Sequence, residues 1–295
     1  MTGILLVDKP AGMTSHDVVD HVRKASGIRR VGHTGTLDPN ATGLLILCLG
    51  KATRLSEHLT GLDKAYEGVM RLGLVTSSYD SDGEVVEEHP VPDLDIAAIQ
   101  AVCDGFVGDI QQIPPMVSAV KVDGQPLYKR ARKGEVVERQ PRPVTVSEFK
   151  VLGYTPPDAS LRVRCTRGTY VRSLCHEVGE KLGCGAILSA LRRTEVGTHS
   201  VADAAPLDAL LTKEDVLSRL IPMGDALDYP SVIVRSECRS VVLTGGTLAP
   251  RDLMKPCMET EGWVQVKTDN GRLLALGQIE TSAAGALIHP KRVFD

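Results

Sequence analysis

Of all the groups in this 295-residue chain that could do chemistry, Asp38 has the most telling surroundings. It is the only acid in GHTGTLDPNATG, residues 32–43, set among glycines, threonines and a histidine. Gly32, Gly35 and Gly43 permit positive φ or close backbone approach, and Pro39 biases Asp38 toward an extended conformation. A loop of that kind presents its carboxylate, which makes Asp38 a candidate nucleophile. The same letters also suit an ordinary Asp-Pro turn. A second group of interest is Arg172 in RGTYVRS, residues 167–173, where the pattern places it in the first turn of a helix. A cation at the positive end of a helix macrodipole is disfavoured by roughly 0.3–1 kcal/mol unless an anion compensates. Asp38 would be such an anion, kept ionised and held in one orientation by the planar guanidinium. The alternative is an exposed arginine at a helix end.

The elements that must position these groups alternate between strands and helices. ILLVD, residues 4–8, reads as a short buried strand, followed by the turn KPAGM and a helix over 16–26. Thr14 and Asp17 resemble a capping box, Val18, Val19, Val22 and Ala25 supply one apolar face, and Gly27 stands where the helix would stop. LLILCL, residues 44–49, has strand length, and a short helix follows near 53–60. AYEGVMRLGLVT, residues 65–76, reads as one strand, the acidic stretch after it as a loop, and 95–107 as a helix burying Ile96, Ile99, Cys103 and Phe106. Residues 114–143 mix prolines, glycines and cations without an apolar period and read as an excursion with a basic surface. Strands are expected at 144–153 and 160–166, then a helix from Thr169 to Lys181 with Val171, Leu174, Cys175, Val178 and Leu182 inward. Residues 199–230 read as a connection holding one helix. Beyond Ser231 come short strands at SVIVR, WVQVKT, RLLALGQI and GALIHP, separated by glycine turns.

The net charge of −3 hides an asymmetry. Residues 80–109 hold nine Asp and Glu and no Lys or Arg, whereas residues 121–172 hold twelve Lys and Arg against five acids. That second segment offers a local surface for phosphates, although a charge run is also what a solvated face looks like. The seven cysteines are odd in number and form no CxxC pair, which indicates buried thiols rather than a disulfide framework or a zinc site. No apolar run approaches the roughly 20 residues that span a bilayer, and ILLV is too short for a signal sequence, so a soluble, cytoplasmic protein is expected.

Six segments, in this order, resemble the TruB family of tRNA pseudouridine-55 synthases. They are GILLVDKPAGMTSHDVV (3–19), VGHTGTLDPNATG (31–43), KAYEGVMRLG (64–73), PPMVSAVKVDGQPLYKRARKG (114–134), RGTYVRSL (167–174) and LRRTEVG (191–197). The resemblance implies an α+β fold: a mixed, mainly antiparallel sheet with flanking helices and a central cleft, followed by a small β-rich PUA-like domain. It divides the chain into a catalytic domain at 1–229, carrying the basic insertion at about 114–143, and a PUA-like RNA-binding domain at 230–295. It implies isomerisation of a uridine in the T-loop of tRNA, at position 55, with no cofactor and no metal. The base would be flipped out, detached from C1′, rotated and rejoined through C5.

By the same resemblance Asp38 is the nucleophile, Arg172 its partner, and Tyr66 contacts the flipped base and relays the C5 proton. Tyr170 and Leu191 line the pocket, and His33 fills the space that the base vacates. Lys121, Lys129, Arg130, Arg132 and Lys133 meet phosphates of the T-arm, and the C-terminal module of a monomeric enzyme reaches toward the acceptor arm. Each role has a physical basis. A carboxylate stabilises or captures the positive charge that glycosidic cleavage develops on a sugar, aromatic rings stack on splayed bases, and phosphate contacts set register. Two other functions suit parts of the pattern. One is a catalysis-independent RNA-binding or tRNA-folding protein using the same surface. The other is a carboxylate glycoside hydrolase, for which the 80–109 stretch would supply the second acid.

Overall fold

The computed structural model describes residues 2–118, 120–122, 124–127, 130, 135, 137–282 and 285–294. The first apolar run becomes β1 (Gly3–Lys9), leading into α1 (Ser15–Ser26), then β2 (Val31–His33) and β3 (Thr42–Leu49), the second apolar run. A turn of 3-10 helix at Gly50–Leu55 continues into α2 (Ser56–Gly61), then β4 (Lys64–Leu72), β5 (Leu74–Thr76), β6 (Val85–Glu88), α3 (Ile96–Asp104) and β7 (Gly108–Gln112). Two short strands, β8 (Lys121–Val122) and β9 (Gln125–Pro126), precede β10 (Arg142–Thr155), β11 (Asp158–Cys165), α4 (Val171–Leu182) and β12 (Ala186–Val196). After β13 (His199–Ser200), β14 (Ala205–Pro206) and α5 (Lys213–Leu217), the last part contains β15 (Ser231–Ile233), α6 (Arg239–Leu243), β16 (Gly262–Lys267), β17 (Leu273–Ser282) and β18 (Gly285–Val293).

The large sheet runs β14-β1-β3-β12-β4-β11-β10-β7, with β2 on β3 and β13 on β12. Only β1 with β14 and β3 with β12 pair in parallel, so the sheet is mixed and mainly antiparallel, as expected. β15 to β18 form a separate four-stranded sheet. The apolar runs of β1 and β3 are continuous rather than alternating because both faces of that part of the sheet are covered. Leu5, Val7, Leu45 and Leu47 meet Val18, Val19 and Val22 of α1 on one side. Ile4, Leu6, Leu44 and Ile46 share the other side with Leu55, Leu59 and, from the C-terminal sheet, Leu276 and Phe294. At the other end of the large sheet, α3 and α4 cover one face through Ile99, Cys103, Leu174, Cys175 and Val178, packed on Met70, Phe149 and Val163. Helix α1 begins with the capping box: Asp17 N–H donates to Thr14 Oγ1 (3.1 Å), and Thr14 N–H donates to the Asp17 carboxylate (2.8 Å). It ends at Gly27 with φ +71°.

Four details depart from the sequence reading. The strand expected over 65–76 breaks at Gly73, whose φ of +89° turns the chain out of β4 and into β5. The acidic stretch expected as a loop contains β6, paired with β5 through Leu74↔Glu88 and Val75↔Glu87, so its exposed carboxylates lie on a two-stranded ribbon. Ile96, expected on the inner face of its helix, is 46 % exposed because it sits at the first position of α3, beyond the edge of the core. Residues 186–196, for which no strand was read, form β12 at the centre of the sheet, flanked by β3 and β4.

β12 brings distant parts of the site together. It places Leu191 opposite Gly68 and Arg193 opposite Tyr66 on β4, while Arg193 also pairs with Gly43 of β3, just after the Asp38 loop. The crossing is close. A Cβ on Gly43 would stand 2.2 Å from the Arg193 carbonyl oxygen, and the φ of Gly43 is +99°. Only glycine lets β12 approach here. Replacing Gly43 with Ala should therefore lower folding stability by on the order of 3 kcal/mol or more, measured by denaturant unfolding; an unchanged midpoint would contradict this account of the crossing.

Candidate active site

The Asp38 loop is tied down by the turn that precedes α1. Ser15 Oγ accepts from Leu37 N–H (2.9 Å) and donates to Leu37 O (3.1 Å), while Gly12 N–H donates to Pro39 O (2.9 Å). The ammonium of Lys9, fully buried, donates to the carbonyls of Pro10 (2.8 Å), Met13 (2.6 Å) and Pro39 (2.9 Å). Burial pushes its pKa down to about 8, with Asp38 and Asp17 opposing the shift. The KPAGM turn and the Asp38 loop are thus one hydrogen-bonded unit, and Leu37 is buried beneath it. Asn40 donates from its amide to Asp82 and so links the loop to the turn after β5.

Arg172 stands in the first turn of α4, as the sequence indicated, and its guanidinium is almost fully engaged. Nη2 lies 3.2 Å from Asp38 Oδ2 and donates to Val117 O (3.0 Å); Nη1 donates to Asp80 Oδ2 (2.9 Å) and Ser78 O (3.2 Å). Two carboxylates thus offset the helix dipole. Asp80 was hidden in the acidic stretch. It is drawn in by Ser78 Oγ–H and by Asp82 N–H (3.1 Å), which both donate to Oδ1. Tyr79, just before it, adopts φ +64°, a left-handed conformation costly for a tyrosine. Leu188 N–H donates to Tyr79 O (3.0 Å), and the ring stacks on His176 of α4 at 3.8 Å, which holds that conformation. The start of α4 carries no side-chain cap; instead Gln112, buried on β7, accepts from Tyr170 N–H (2.7 Å) and donates to Tyr170 O (3.1 Å).

Asp38 opens onto a pocket of about 250 Å³ that is lined by Tyr66, Tyr170, Arg172, Leu191, Lys64 and Arg193 among others. The structure therefore brings together five of the residues expected at the site: Asp38, Tyr66, Arg172, Tyr170 and Leu191. Burial raises the pKa of the Tyr66 phenol, and neighbouring Arg193 opposes that rise. The Tyr170 phenol is raised in the same way, with Arg172 opposing. His33 does not line this pocket. It sits on β2, paired with Leu47, its ring Nδ1 accepts from Gly35 N–H (3.4 Å), and burial lowers its pKa. Among the cations expected to meet phosphates, Arg130 donates from Nε to Glu135 (2.8 Å). Lys129, Arg132 and Lys133 lie outside the described residues, as does the side chain of Lys121. Sequence reasoning missed Asp80, Gln112, Lys9, Lys64 and Arg193. The last three had a signal, since they belong to the segments GILLVDKPAGMTSHDVV, KAYEGVMRLG and LRRTEVG.

The arrangement suits chemistry at a sugar. One carboxylate, oriented by a guanidinium, faces a recess floored by an aromatic ring and a leucine, so an electron-poor anomeric carbon placed there would meet an anion on one side and apolar surface on the other. Asp80 is 15 % exposed and already paired, so it does not supply the free second acid that a glycoside hydrolase uses.

Residues 23–171 match the model of the TruB family pseudouridylate synthase N-terminal domain, and residues 172–228 match the tRNA pseudouridylate synthase B C-terminal domain. The chain is 53 % identical over 235 residues to tRNA pseudouridine synthase B of Opitutus terrae, covering 79 % of this chain and 97 % of that one. It is 40 % identical to the Pseudomonas fluorescens protein of the same name, covering 99 % and 95 %. Among solved structures it is similar to a chain of an H/ACA RNP bound to a substrate RNA containing 2'-deoxyuridine. There the TM-score is 0.76 at 27 % identity, covering 99 % of this chain and 85 % of that one. A chain of a Cbf5-Nop10-Gar1 complex is similar to the same extent, with TM-score 0.76, 28 % identity and coverage of 99 % and 85 %.

The ionisation of Asp38 is set by opposing neighbours. Burial raises its pKa, Arg172 lowers it, and Asp80 and Asp82 raise it again; the balance lies above the ordinary carboxylate value. Arg172 acts in the expected direction, favouring the charged form, but burial and the two acids outweigh it. A reaction that needs the carboxylate then loses rate on acidification at a higher pH than a free aspartate would impose. Asp82→Asn removes one of the charges that raise this pKa, so the acid limb of single-turnover activity should move to lower pH. A limb that stays in place or moves upward would contradict the assignment of that limb to Asp38.

Proposed function

Because the chain belongs to the TruB family of pseudouridylate synthases, we propose that the recess beside Asp38 receives a uridine extruded from the T-loop of tRNA, at position 55. The protein is an enzyme, an isomerase that converts uridine to pseudouridine in tRNA. The observation that carries the reading of the site is the Asp38–Arg172 pair, 3.2 Å apart, at a pocket whose other walls include Tyr66 and Leu191. A pocket of this size suits a single flipped base rather than a stacked one.

In this reading the C1′–N1 bond breaks while Asp38 meets the positive charge on the ribose, either by bonding to C1′ or by accepting the C2′ proton. The freed uracil turns between Tyr66 and Leu191, and C5 bonds to C1′. The C5 proton leaves through Tyr66 and N1 gains a proton, so the product is an isomer. No cofactor or metal enters these steps. Arg172 orients Asp38, and Tyr170, its backbone fixed by Gln112, closes one side of the recess. His33, on the strand leading to the Asp38 loop, stacks into the gap left by the base. The basic 114–143 segment lies against the T-arm, and the PUA-like sheet of residues 230–295 extends contact toward the acceptor arm of the tRNA, with the enzyme acting as a monomer in the cytoplasm. Among the described residues no helix is long and apolar enough to cross a membrane. A purely RNA-binding role leaves the Asp38–Arg172–Asp80 chain of charges without a use.

Asp38→Asn tests the reading directly. The variant should fold, since the ionised carboxylate it replaces is disfavoured by burial, and should bind unmodified tRNA as the parent does. Pseudouridine formation should fall by about 10³-fold or more. Sequencing-based mapping of the modification in wild-type reactions should place it in the T-loop. Substantial turnover by the variant would remove Asp38 from the chemistry, and modification elsewhere would move the substrate site.

A further inference from the structure

Arg193 is a buried cation without an anion. It is 3 % exposed, its Nε donates to Leu44 O (2.7 Å) and Nη2 to Gly35 O (3.1 Å), and it forms no ion pair with any described carboxylate. Burying a guanidinium whose partners are all neutral is costly and calls for a reason. Its position supplies one. Arg193 follows Leu191 by two residues on β12, so both side chains leave the same face of the strand. It pairs in register with Tyr66 on β4, its charge and a hydrogen bond act on the Tyr66 phenol, and it lines the same pocket as Asp38. Asp38 and Asp80 are both taken by Arg172. Next to Arg193, Lys64 is 6 % exposed and donates to the carbonyls of Thr60 (2.6 Å) and Leu62, again with no carboxylate partner among the described residues. The inner wall of the pocket, at the level of Tyr66 and Leu191 where a base would lie, therefore carries uncompensated positive charge.

The reaction generates a matching negative charge. When the C1′–N1 bond breaks, its electron pair stays on N1, leaving a uracil monoanion delocalised over N1, O2 and O4. The positive charge left on the ribose is met by Asp38. When C5 bonds to C1′ the C5 proton is lost and N1 is protonated, which restores a neutral base. We propose that Arg193 is a catalytic residue whose guanidinium stabilises the uracil anion as the glycosidic bond breaks. This rests on the pseudouridine-synthase reading of the pocket. The two carbonyls and the β4 pairing hold the charge in place before the reaction, which is what makes a fixed cation effective in a water-poor site. A phosphate is a poorer match, because the cation is 3 % exposed and lines the pocket beside Tyr66 and Leu191 rather than standing on the open surface.

The test compares tRNA carrying uridine or 5-fluorouridine at the target position, in single-turnover reactions read as loss of the target nucleoside. Fluorine withdraws electrons and makes the uracil anion a better leaving group, so bond cleavage depends less on outside stabilisation. Wild-type enzyme, Arg193→Gln and Arg193→Lys are compared, with thermal melting and tRNA binding measured on each. Arg193→Gln should lose about 100-fold on uridine and at most about tenfold on 5-fluorouridine, with tRNA affinity largely kept. Arg193→Lys, which keeps the charge, should lie between wild type and the Gln variant and show the same selective recovery; if the Gln variant does not fold, the Lys variant decides by that ratio. Equal losses on both substrates, or a loss confined to binding, would overturn the proposal and leave Arg193 as a pin for Gly35 and Leu44. Failure of the wild-type enzyme to convert uridine would instead sink the reading on which the proposal rests.

Discussion

A single guanidinium, that of Arg172, holds the site together. From its base on α4 it reaches two carboxylates and two carbonyls in three separate stretches of chain: the Asp38 loop, the turn carrying Ser78 and Asp80, and the segment at Val117. Its planar fork matters, because a lysine in its place would offer a point charge without a fixed direction toward both acids. The price of assembling like charges appears in Asp38, whose pKa is raised by burial and by Asp80 and Asp82 even with Arg172 in contact. The second acid thus has two effects. It fixes Arg172 and offsets the helix dipole, and it also makes Asp38 harder to ionise.

The parts of the site that were legible in the sequence from local pattern are few. Asp38 stood alone in a glycine-rich loop and Arg172 stood in a helix turn where a cation is disfavoured, whereas Tyr66, Tyr170, Leu191 and His33 were reached only through the family resemblance. Asp80 was not legible because one acid among nine in 80–109 has nothing local to set it apart; only the fold turns Tyr79 into a left-handed conformation and points the next carboxylate inward. β12 was missed for a related reason. Its sequence AILSALRRTEV places Arg192, Arg193 and Glu195 in a central strand, where composition would suggest an edge or a loop. Those charges are accommodated by partners remote in sequence: Arg192 by Asp8, Glu195 by Arg164, and Arg193 by carbonyls and the pocket. Pairings of that span cannot be read from periodicity.

Three buried cations share one design. Lys9, Lys64 and Arg193 are each nearly or wholly inaccessible, and each is satisfied mainly by backbone carbonyls rather than by carboxylates. Carbonyls stabilise a cation without cancelling its charge. Burial accordingly lowers the pKa of both lysines to about 8, and a positive field remains around Asp38 and Tyr66. A carboxylate partner would have been the more stable solution for each ion alone. It would also have removed the field that an anionic intermediate can use.

The same economy of contacts governs the C-terminal sheet. Leu273, Leu276 and Phe294 enter the core that contains Ile46, Leu55 and Leu59, so the sheet packs on the segment that leaves β3. Arg54 lies over the Phe294 ring at 5.5 Å, Arg292 meets Glu57 at 3.1 Å, and Trp263 contacts the edge of His58 at 4.5 Å. A module tethered by a linker would search for any RNA contact independently and gain only through effective concentration. A module that shares a core with β3 stands at a set distance from the Asp38 loop, because β3 begins at the end of that loop. Folded RNA is recognised largely by its shape, and shape is measured by surfaces whose spacing does not change. In the proposed reading of this sheet as an RNA-binding module, the core formed by β1, β3 and the C-terminal sheet serves recognition as well as stability.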